Sequence, residues 1–283
     1  MKVGIFGINT GICARPDVAR RAARAAESAG FESLWTGEHV VLPDPQVPPS
    51  PAPPETAMAD PSVWLGFLAG VTERIRLGTG IIILPQRNPV ELAKELASVD
   101  VASGGRLLFG LGAGYLEPEF RALGVRFDDR GARTDEYIDV LRALWTDEKP
   151  GFSGPTVRFD GVDAHPRPVQ RPHPPIIVGG HSAPALRRAI ARGDGWYGFY
   201  VDLERAKASV AQLEAIASEH GRGEGLGRLE LSVTPPPRTG LDDAQRYRDL
   251  GFDRLTLLPD TKSAGHLMRW IDETAEGLVR KLA

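Results

Sequence analysis

The chain has 283 residues, 42% of them hydrophobic and 25% charged, and its formal net charge is −3. This composition is ordinary for a globular protein, and the slight negative charge gives no basis for binding nucleic acid or a membrane surface. The sequence has no apolar run that could span a bilayer and no signal-peptide pattern at its N-terminus, and its single cysteine, Cys13, excludes an internal disulfide. We therefore expect a cytoplasmic protein.

Short apolar runs alternate with segments of helical periodicity along the chain. The eight predicted strands span residues 3–8, 33–36, 76–84, 106–111, 175–178, 196–200, 229–234 and 254–258. Continuous apolar runs separated by helices are typical of a parallel sheet that helices cover. Eight such units favour one (β/α)8 TIM barrel domain over residues 1–283, with an open doubly wound sheet as the alternative.

Two of the connections between predicted strands are much longer than the others. The excess after the second strand lies at residues 43–54, which include seven prolines and therefore cannot form a helix or a central strand. The excess after the fourth strand lies around residues 151–174, where residues 157–159 suggest a short extra strand. Active sites of such barrels are built from the loops that follow the strands, so we expect both insertions to be lids or pocket walls. Surface decoration is the alternative.

Chemically useful side chains follow the second and third predicted strands. Glu38 and His39 end the second strand, where an imidazole can hydrogen-bond a bound ring and titrate near neutral pH. Gly78 and Gly80 lie within the third strand, which is typical of a bulge or of close approach by another group. Arg87 follows and suits a carboxylate or a phosphate. The structural alternatives are a histidine bonded to a nearby loop and a surface salt bridge.

The fourth and fifth predicted strands end in glycines. Gly110, Gly112 and Gly114 do not match the G-x-G-x-x-G register of a dinucleotide loop, so we interpret them as a bare strand end that a flat group can approach, followed by Tyr115 at the mouth. Residues 179–182, Gly-Gly-His-Ser, join a strand to a helix whose positive end suits an anion. The histidines form no helical pair and the sequence has no cysteine cluster, so we expect no metal site.

Several long motifs occur together in this order: GFESLWTGEHV, RIRLGTGIIILPQRNPVELAKELASVD, GGRLLFGLGAGYLEPEF, RGARTDEYIDVLRALW and HPRPVQRPHPPIIVGG. In these motifs the chain resembles the bacterial luciferase-like monooxygenase superfamily. Within it, the chain looks most like the actinobacterial branch thought to use the deazaflavin coenzyme F420. The resemblance is strong over residues 1–200 and weaker beyond them.

The resemblance implies a (β/α)8 barrel with a flavin or deazaflavin at the C-terminal ends of the strands. It implies catalytic residues near the reacting part of the ring, at Glu38 and His39, with Tyr115 beside ring and substrate. It also implies a bulge, often with a non-prolyl cis peptide, that supports the ring from behind. The implied cofactor-binding residues are Thr79, Gly80 and Ile81 at the bulge, Gly112, Ala113 and Gly114 beside the ring, Val178, Gly179, Gly180, His181 and Ser182 at the phosphate, and Arg87 at an acidic tail.

We therefore predict an F420-dependent oxidoreductase that transfers a hydride between the deazaflavin and a small organic substrate. The alternatives are a luciferase-like monooxygenase that uses reduced FMN and a flavin-binding protein without turnover. Sugar-phosphate dehydrogenase relatives carry a catalytic glutamate where this chain has Tyr115, which argues against a sugar phosphate. Arg130, Arg133 and Arg187 are further cations for a long anionic tail, the feature that would separate F420 from FMN. Barrel relatives are commonly dimers, so we expect a homodimer.

Overall fold

The computed structural model describes residues 1–282. Eight parallel strands form the barrel: β1 (Lys2–Phe6), β2 (Ser33–Thr36), β3 (Arg76–Thr79), β4 (Leu107–Gly112), β5 (Ile176–Gly179), β6 (Gly195–Phe199), β7 (Glu230–Thr234) and β8 (Arg254–Leu257). A two-residue strand, Ile82–Ile83, adds to the same sheet beside β4. Each strand pairs with the next, and β8 pairs with β1, so the sheet closes on itself. The predicted (β/α)8 barrel is confirmed, and the open-sheet alternative is wrong.

Helices surround this barrel. They are α1 (Pro16–Ser28), α2 (Pro61–Ala69), α3 (Pro89–Ala102), α4 (Glu117–Ala122), α5 (Arg130–Thr146), α6 (Ala183–Arg192), α7 (Leu203–His220), α8 (Leu241–Asp249), α9 (Ala264–Thr274) and α10 (Arg280–Leu282). Short 3₁₀ helices span Gly11–Ala14 and Leu84–Gln86, and a π-helical turn spans Ala275–Val279. Buried apolar side chains of helices and strands pack together in the main core. Across residues 1–282, no helix combines the length and the hydropathy needed to cross a membrane.

Aromatic side chains that lie against glycines fill the interior of the barrel. The Trp35 indole stacks on the Tyr197 ring, with centroids 5.5 Å apart and 20° between the planes. A Cβ atom at Gly78 would lie 2.6 Å from the Trp35 ring, and one at Gly4 would lie 2.5 Å from Ser33 Oγ, which accepts a hydrogen bond from the indole. Glycine is therefore required at both positions, next to the indole and next to its hydrogen-bond acceptor. We call Trp35 and Tyr197 the aromatic layer.

A buried ion-pair network lies on one side of the aromatic layer, near the N-terminal ends of the strands. Arg254 on β8 is fully buried and donates to the Glu32 carboxylate at 2.8 and 2.9 Å, to Glu230 and to Ser232 Oγ at 3.0 Å. Its guanidinium lies 5.5 Å from the centroid of the Trp35 ring. Burial alone would raise the pKa of both carboxyl groups, but the contacts with Arg254 outweigh burial and hold both pKa values below the ordinary 4.5.

The first insertion forms part of the mouth of the barrel. The insertion at residues 43–54 lies between β2 and α2, and its residues Pro51 and Ala52 line the cavity. Thr56 and Met58, which follow the insertion before α2 begins, line the cavity too. The expectation that this proline-rich segment forms a pocket wall is confirmed.

The second insertion lies elsewhere, and its expected role as a lid or pocket wall was wrong. Residues 151–174 follow α5, which leads the chain back from the mouth. The amides of Val169 and Gln170 donate to Asp100 Oδ2, near the end of α3, at 2.8 and 3.1 Å. None of residues 151–174 lines the mouth cavity. The segment does contain the suggested extra strand, since Arg158–Phe159 pairs with Phe152–Ser153.

Candidate active site

A cavity of about 920 Å³ opens at the C-terminal ends of the strands. Its walls come from strand ends, from residues 43–58 between β2 and α2 and from the first turns of α5 and α6. Most of the residues predicted from sequence line it: Glu38, His39, Gly80, Ile81, Gly112, Ala113, Gly114, Tyr115, Gly179, Gly180, His181 and Ser182. The sequence-based reasoning missed several other lining residues, among them four apolar or aromatic side chains and one arginine: Phe6, Met58, Tyr197, Phe199 and Arg188.

A bulge shapes the floor of this cavity. The chain leaves β3 at Gly80–Ile81, whose peptide bond is cis, and resumes pairing with β4 at Ile82–Ile83. A Cβ atom at Gly112 would lie 2.9 Å from Ile81 Cδ1, and one at Gly179 would lie 2.8 Å from Ile81 Cγ2. The glycines at the ends of β4 and β5 therefore make room for Ile81, a role that the sequence interpretation of a bare strand end did not include.

Two of the predicted cofactor-binding residues belong to the barrel wall instead of the cavity lining. Thr79 is fully buried, and its hydroxyl group donates to the Gly110 carbonyl at 2.6 Å and accepts from the Gly110 amide at 2.8 Å. Val178 is fully buried in the main core. Both side chains are occupied within the protein, so neither is available to a ligand.

Arg87, predicted to meet an acidic tail, is bound by the protein's own carboxylates. Its Nε donates to Glu38 Oε1 at 2.8 Å and its Nη2 to Asp60 Oδ2 at 2.6 Å, and Glu95 lies 3.7 Å from Nη1. Glu38 also accepts a hydrogen bond from the Ile83 amide, next to the bulge. Burial lowers the pKa of Arg87, but the charge of Glu38 outweighs burial and raises it. Arg87 is not a lining residue of the cavity. The ion pair of Arg87 and Glu38 supports the bulge from inside the protein.

His39 lies between a buried carboxylate and a phenol. Its Nδ1 is 3.0 Å from Glu119 Oε2 on α4, and its Nε2 is 3.4 Å from the hydroxyl oxygen of Tyr115. Burial and the charge of Glu119 raise the pKa of Tyr115, so this residue stays a neutral phenol. The sequence-based reasoning missed Glu119 because it lies 80 residues from His39, on a helix too short to show a periodic pattern. The one sign of Glu119 in the sequence is that this glutamate follows shortly after the glycines at the end of β4.

The turn after β5 offers amide groups, although not at Gly180, one of the two glycines predicted to hold the phosphate. Gly180 has a φ of 121°, and its amide donates to the Tyr197 carbonyl at 3.3 Å. The Ser182 hydroxyl caps α6 by accepting from the Ala185 amide at 3.4 Å. The amides of His181 and Ser182 have no partner in the part of the chain that the structure describes. They lie at the positive end of α6, which favours an anion.

The His181 ring adds no charge to this anion site. Its Nε2 lies 3.1 Å from the Phe199 carbonyl oxygen, and burial lowers the pKa of the imidazole. The ring is therefore neutral near pH 7, and any positive charge at the site comes from elsewhere.

Two arginines line the same cavity, and they differ in whether a carboxylate neutralises them. Arg130 lines the cavity and donates to the Gly114 carbonyl at 3.2 Å, while its guanidinium lies over the Phe127 ring at 3.7 Å. Arg188 also lines the cavity but pairs with Asp135 at 2.7 Å. The two other cations weighed from the sequence, Arg133 and Arg187, do not line it.

Two solved structures resemble the whole barrel. One is an F420-dependent secondary alcohol dehydrogenase in complex with an F420–acetone adduct, with a TM-score of 0.78, 19% identity and 98% of each chain covered. The other is the oxygenating constituent of 3,6-diketocamphane monooxygenase from Pseudomonas putida in complex with FMN, with a TM-score of 0.76, 16% identity and 100% of this chain and 99% of the other covered. At these identities the likeness establishes the fold alone.

Sequence comparison identifies the family as well as the fold. Rv0953c, an uncharacterized protein of Mycobacterium tuberculosis, is 33% identical over 267 residues, which cover 91% of this chain and 92% of the relative. The model of the luciferase-like monooxygenase family matches residues 4–279, a span that contains every cavity residue described above. The chain belongs to the luciferase-like monooxygenase family.

Proposed function

We propose that the protein is an oxidoreductase that binds the deazaflavin F420 and acts on a small, largely apolar organic substrate. The observation that carries this proposal is Arg130, which lines the cavity and forms no ion pair with any carboxylate of residues 1–282. An uncompensated guanidinium suits a ligand with a long anionic tail. F420 has such a tail beyond its phosphate, whereas FMN ends at the phosphate.

The residues present fit such a cofactor. The cavity volume of about 920 Å³ lies near the upper end of the range for ligand pockets, roughly 300–1,000 Å³. The free amides of His181 and Ser182, at the start of α6, would hold the phosphate. Gly80 and Ile81 would support the ring, and Gly112 offers bare backbone beside it.

The chain's own residues would bind, orient and exchange a proton. F420, when bound, would supply hydride transfer to or from the substrate carbon. His39 would accept or return the accompanying proton at Nε2, the nitrogen that faces Tyr115 in the cavity. Tyr115 would hydrogen-bond a substrate oxygen, since its hydroxyl group lies 3.4 Å from the same His39 nitrogen and its side chain is half exposed.

The substrate side of the cavity is mostly apolar. Phe6, Met58 and Phe199 line it, and Pro51 and Ala52 of the first insertion add to the same lining. The polar groups closest to His39 are those of Tyr115 and Glu119, and Glu119 is buried. This lining favours an uncharged organic molecule with one oxygen function over a phosphorylated one.

Titration of the ligand-free protein with F420 and with FMN tests the choice of cofactor. We expect saturable binding of F420 and much weaker binding of FMN, because the tail of F420 gains the contact with Arg130. Tight binding of FMN without binding of F420 would contradict the proposal and favour an FMN-dependent monooxygenase. Binding of neither would contradict it in favour of a protein that has lost its cofactor site.

The variant Arg130→Gln tests directly whether the unpaired Arg130 guanidinium binds the cofactor. We expect its affinity for F420 to fall by roughly tenfold or more, the cost of one hydrogen bond to a charged group. Affinity for a deazaflavin that lacks phosphate and tail should stay the same. Arg126→Gln is the matched control, because Arg126 is exposed and is not a lining residue. An equal loss with both ligands would show that Arg130 acts on the ring site instead of the tail.

A further inference from the structure

Glu119 is a fully buried carboxylate with two well-defined partners. Its side chain has no exposed surface, although it lies on α4, next to the mouth of the barrel. Oε1 accepts a hydrogen bond from the Val40 amide at 2.5 Å, and Oε2 lies 3.0 Å from His39 Nδ1. Glu119 does not itself line the cavity, so its contact with the site passes through His39.

These contacts determine which nitrogen of His39 carries the proton. The Val40 amide can only donate, so it occupies Oε1. An ionised carboxylate can only accept, so Oε2 requires a donor, and His39 must present Nδ1–H. In the neutral imidazole Nε2 then has a lone pair, and the Tyr115 hydroxyl lies 3.4 Å from it.

The other charged groups of the cavity do not compete for this imidazole. Glu38, next in the chain, is paired with Arg87. Arg130 donates to the backbone at Gly114, and Asp128 lines the cavity without a contact to His39. The hydrogen-bond partners of the two His39 ring nitrogens are therefore Glu119 and Tyr115.

We propose that Glu119 is a positioning residue that fixes His39 as the Nδ1–H tautomer, so that Nε2 faces the cavity as a proton acceptor. This inference rests on the proposed function for the role of the proton, but the arrangement itself can be tested without cofactor. When the O–H bond of a bound hydroxyl breaks, its proton passes to Nε2, and Glu119 stabilises the imidazolium that forms. In the reverse direction Nε2 returns the proton to a carbonyl oxygen.

The variant Glu119→Gln should reverse the tautomer. The carboxamide oxygen must accept from the Val40 amide, which leaves the NH₂ group facing His39 Nδ1. Nδ1 must then act as acceptor, and the proton moves to Nε2. Long-range ¹H–¹⁵N spectra of the ligand-free protein report the protonated nitrogen directly, and His39→Asn identifies the His39 signals among the six histidines.

We expect Nδ1–H in the wild-type protein and Nε2–H in Glu119→Gln. Glu117→Gln is the matched control, since Glu117 lies on the same helix with an exposed side chain, and it should leave the spectrum of His39 unchanged. Nε2–H in the wild-type protein would overturn the inference, as would an unchanged tautomer in Glu119→Gln. If Glu119→Gln did not fold, the wild-type spectrum would still decide.

The cofactor titration keeps this inference separate from the proposed function. Glu119→Gln should bind F420 within about twofold of the wild-type protein, because Glu119 is not a lining residue. Failure of F420 binding in the wild-type protein would contradict the proposed function and leave the tautomer result intact. A parallel loss of F420 affinity and of the His39 signals in Glu119→Gln would instead indicate that Glu119 holds the whole site together and would overturn the positioning role.

Discussion

At the scale of single residues, Glu38 and His39 are neighbours in the chain but have different structural roles. Glu38 accepts from Arg87 and from the Ile83 amide, so it belongs to the support of the bulge. His39 contacts Glu119 through Nδ1 and the Tyr115 hydroxyl group through Nε2. The side chain that completes each pair comes from a different part of the chain.

Arg87 is expected to contribute to stability more than to ligand affinity. The variant Arg87→Gln should lower the free energy of unfolding by about 3–5 kcal/mol, because it leaves the buried Glu38 carboxylate without its counter-charge. Urea denaturation measures this change, and F420 titration of the folded variant should give nearly wild-type affinity. Arg74→Gln, with its exposed side chain, is the control and should change stability little. Normal stability combined with lost F420 affinity would restore Arg87 to the role predicted from sequence.

How far the sequence could predict the site depends on the kind of residue. Glycines and strand-end residues were predictable, because their positions follow from local pattern and from the family resemblance. Glu119 and Arg188 were not, because long-range packing alone brings them to the site. Arg87 was assigned to a ligand because its charge is visible in the sequence, while the three carboxylates around it are not recognisable as partners there.

At the scale of elements, the position of an insertion relative to the helix decides which end of the barrel it reaches. Residues 43–58 precede α2 and line the mouth, whereas residues 151–174 follow α5 and contact Asp100 near the end of α3. The length of the connection alone did not carry this distinction, so the second insertion was assigned to the wrong end. The strands themselves were predictable, because continuous apolar runs and intervening helical periodicity are local properties.

At Gly110 on β4, the backbone at the end of β3 leaves room only for glycine. A Cβ atom at Gly110 would lie 1.8 Å from the Thr79 carbonyl oxygen, a backbone atom that cannot move aside alone. Gly110→Ala should therefore cost about 3 kcal/mol of stability, at the upper end of the cost of overpacking. Gly66→Ala in α2 is the control, since nothing lies within 4 Å of the added carbon, and it should gain about 0.5–1 kcal/mol. Equal thermal unfolding midpoints for both variants would refute this account.

At the scale of the whole molecule, the Arg254 network links the start of the second strand to the last two strands of the closed barrel. Glu32 precedes β2, Glu230 starts β7 and Arg254 starts β8, so three segments distant in sequence share one ionic cluster. Its carboxylates have pKa values below the ordinary 4.5 in the folded protein. The stability that they contribute is present above that value and is lost as the pH falls through the lower, folded pKa.

Glu32→Gln should weaken the dependence of stability on acid. The free energy of unfolding of the wild-type protein should fall as the pH drops below about 4.5, and the fall should be smaller in the variant, which has one fewer carboxylate to protonate. Urea unfolding at a series of pH values measures both slopes. Glu73→Gln, with an 85% exposed side chain, is the control and should keep the wild-type slope. Identical slopes for all three proteins would rule out this role of the network.

The aromatic layer has an evolutionary consequence. Trp35 and Tyr197 separate the Arg254 network from the mouth cavity, since Trp35 lies over Arg254 and Tyr197 lines the cavity. Changes of residue around the mouth therefore leave the ionic cluster that links the strands intact. Selection can alter what the cavity accepts while the opposite end preserves the scaffold, and a lineage can exchange substrates without first losing its fold.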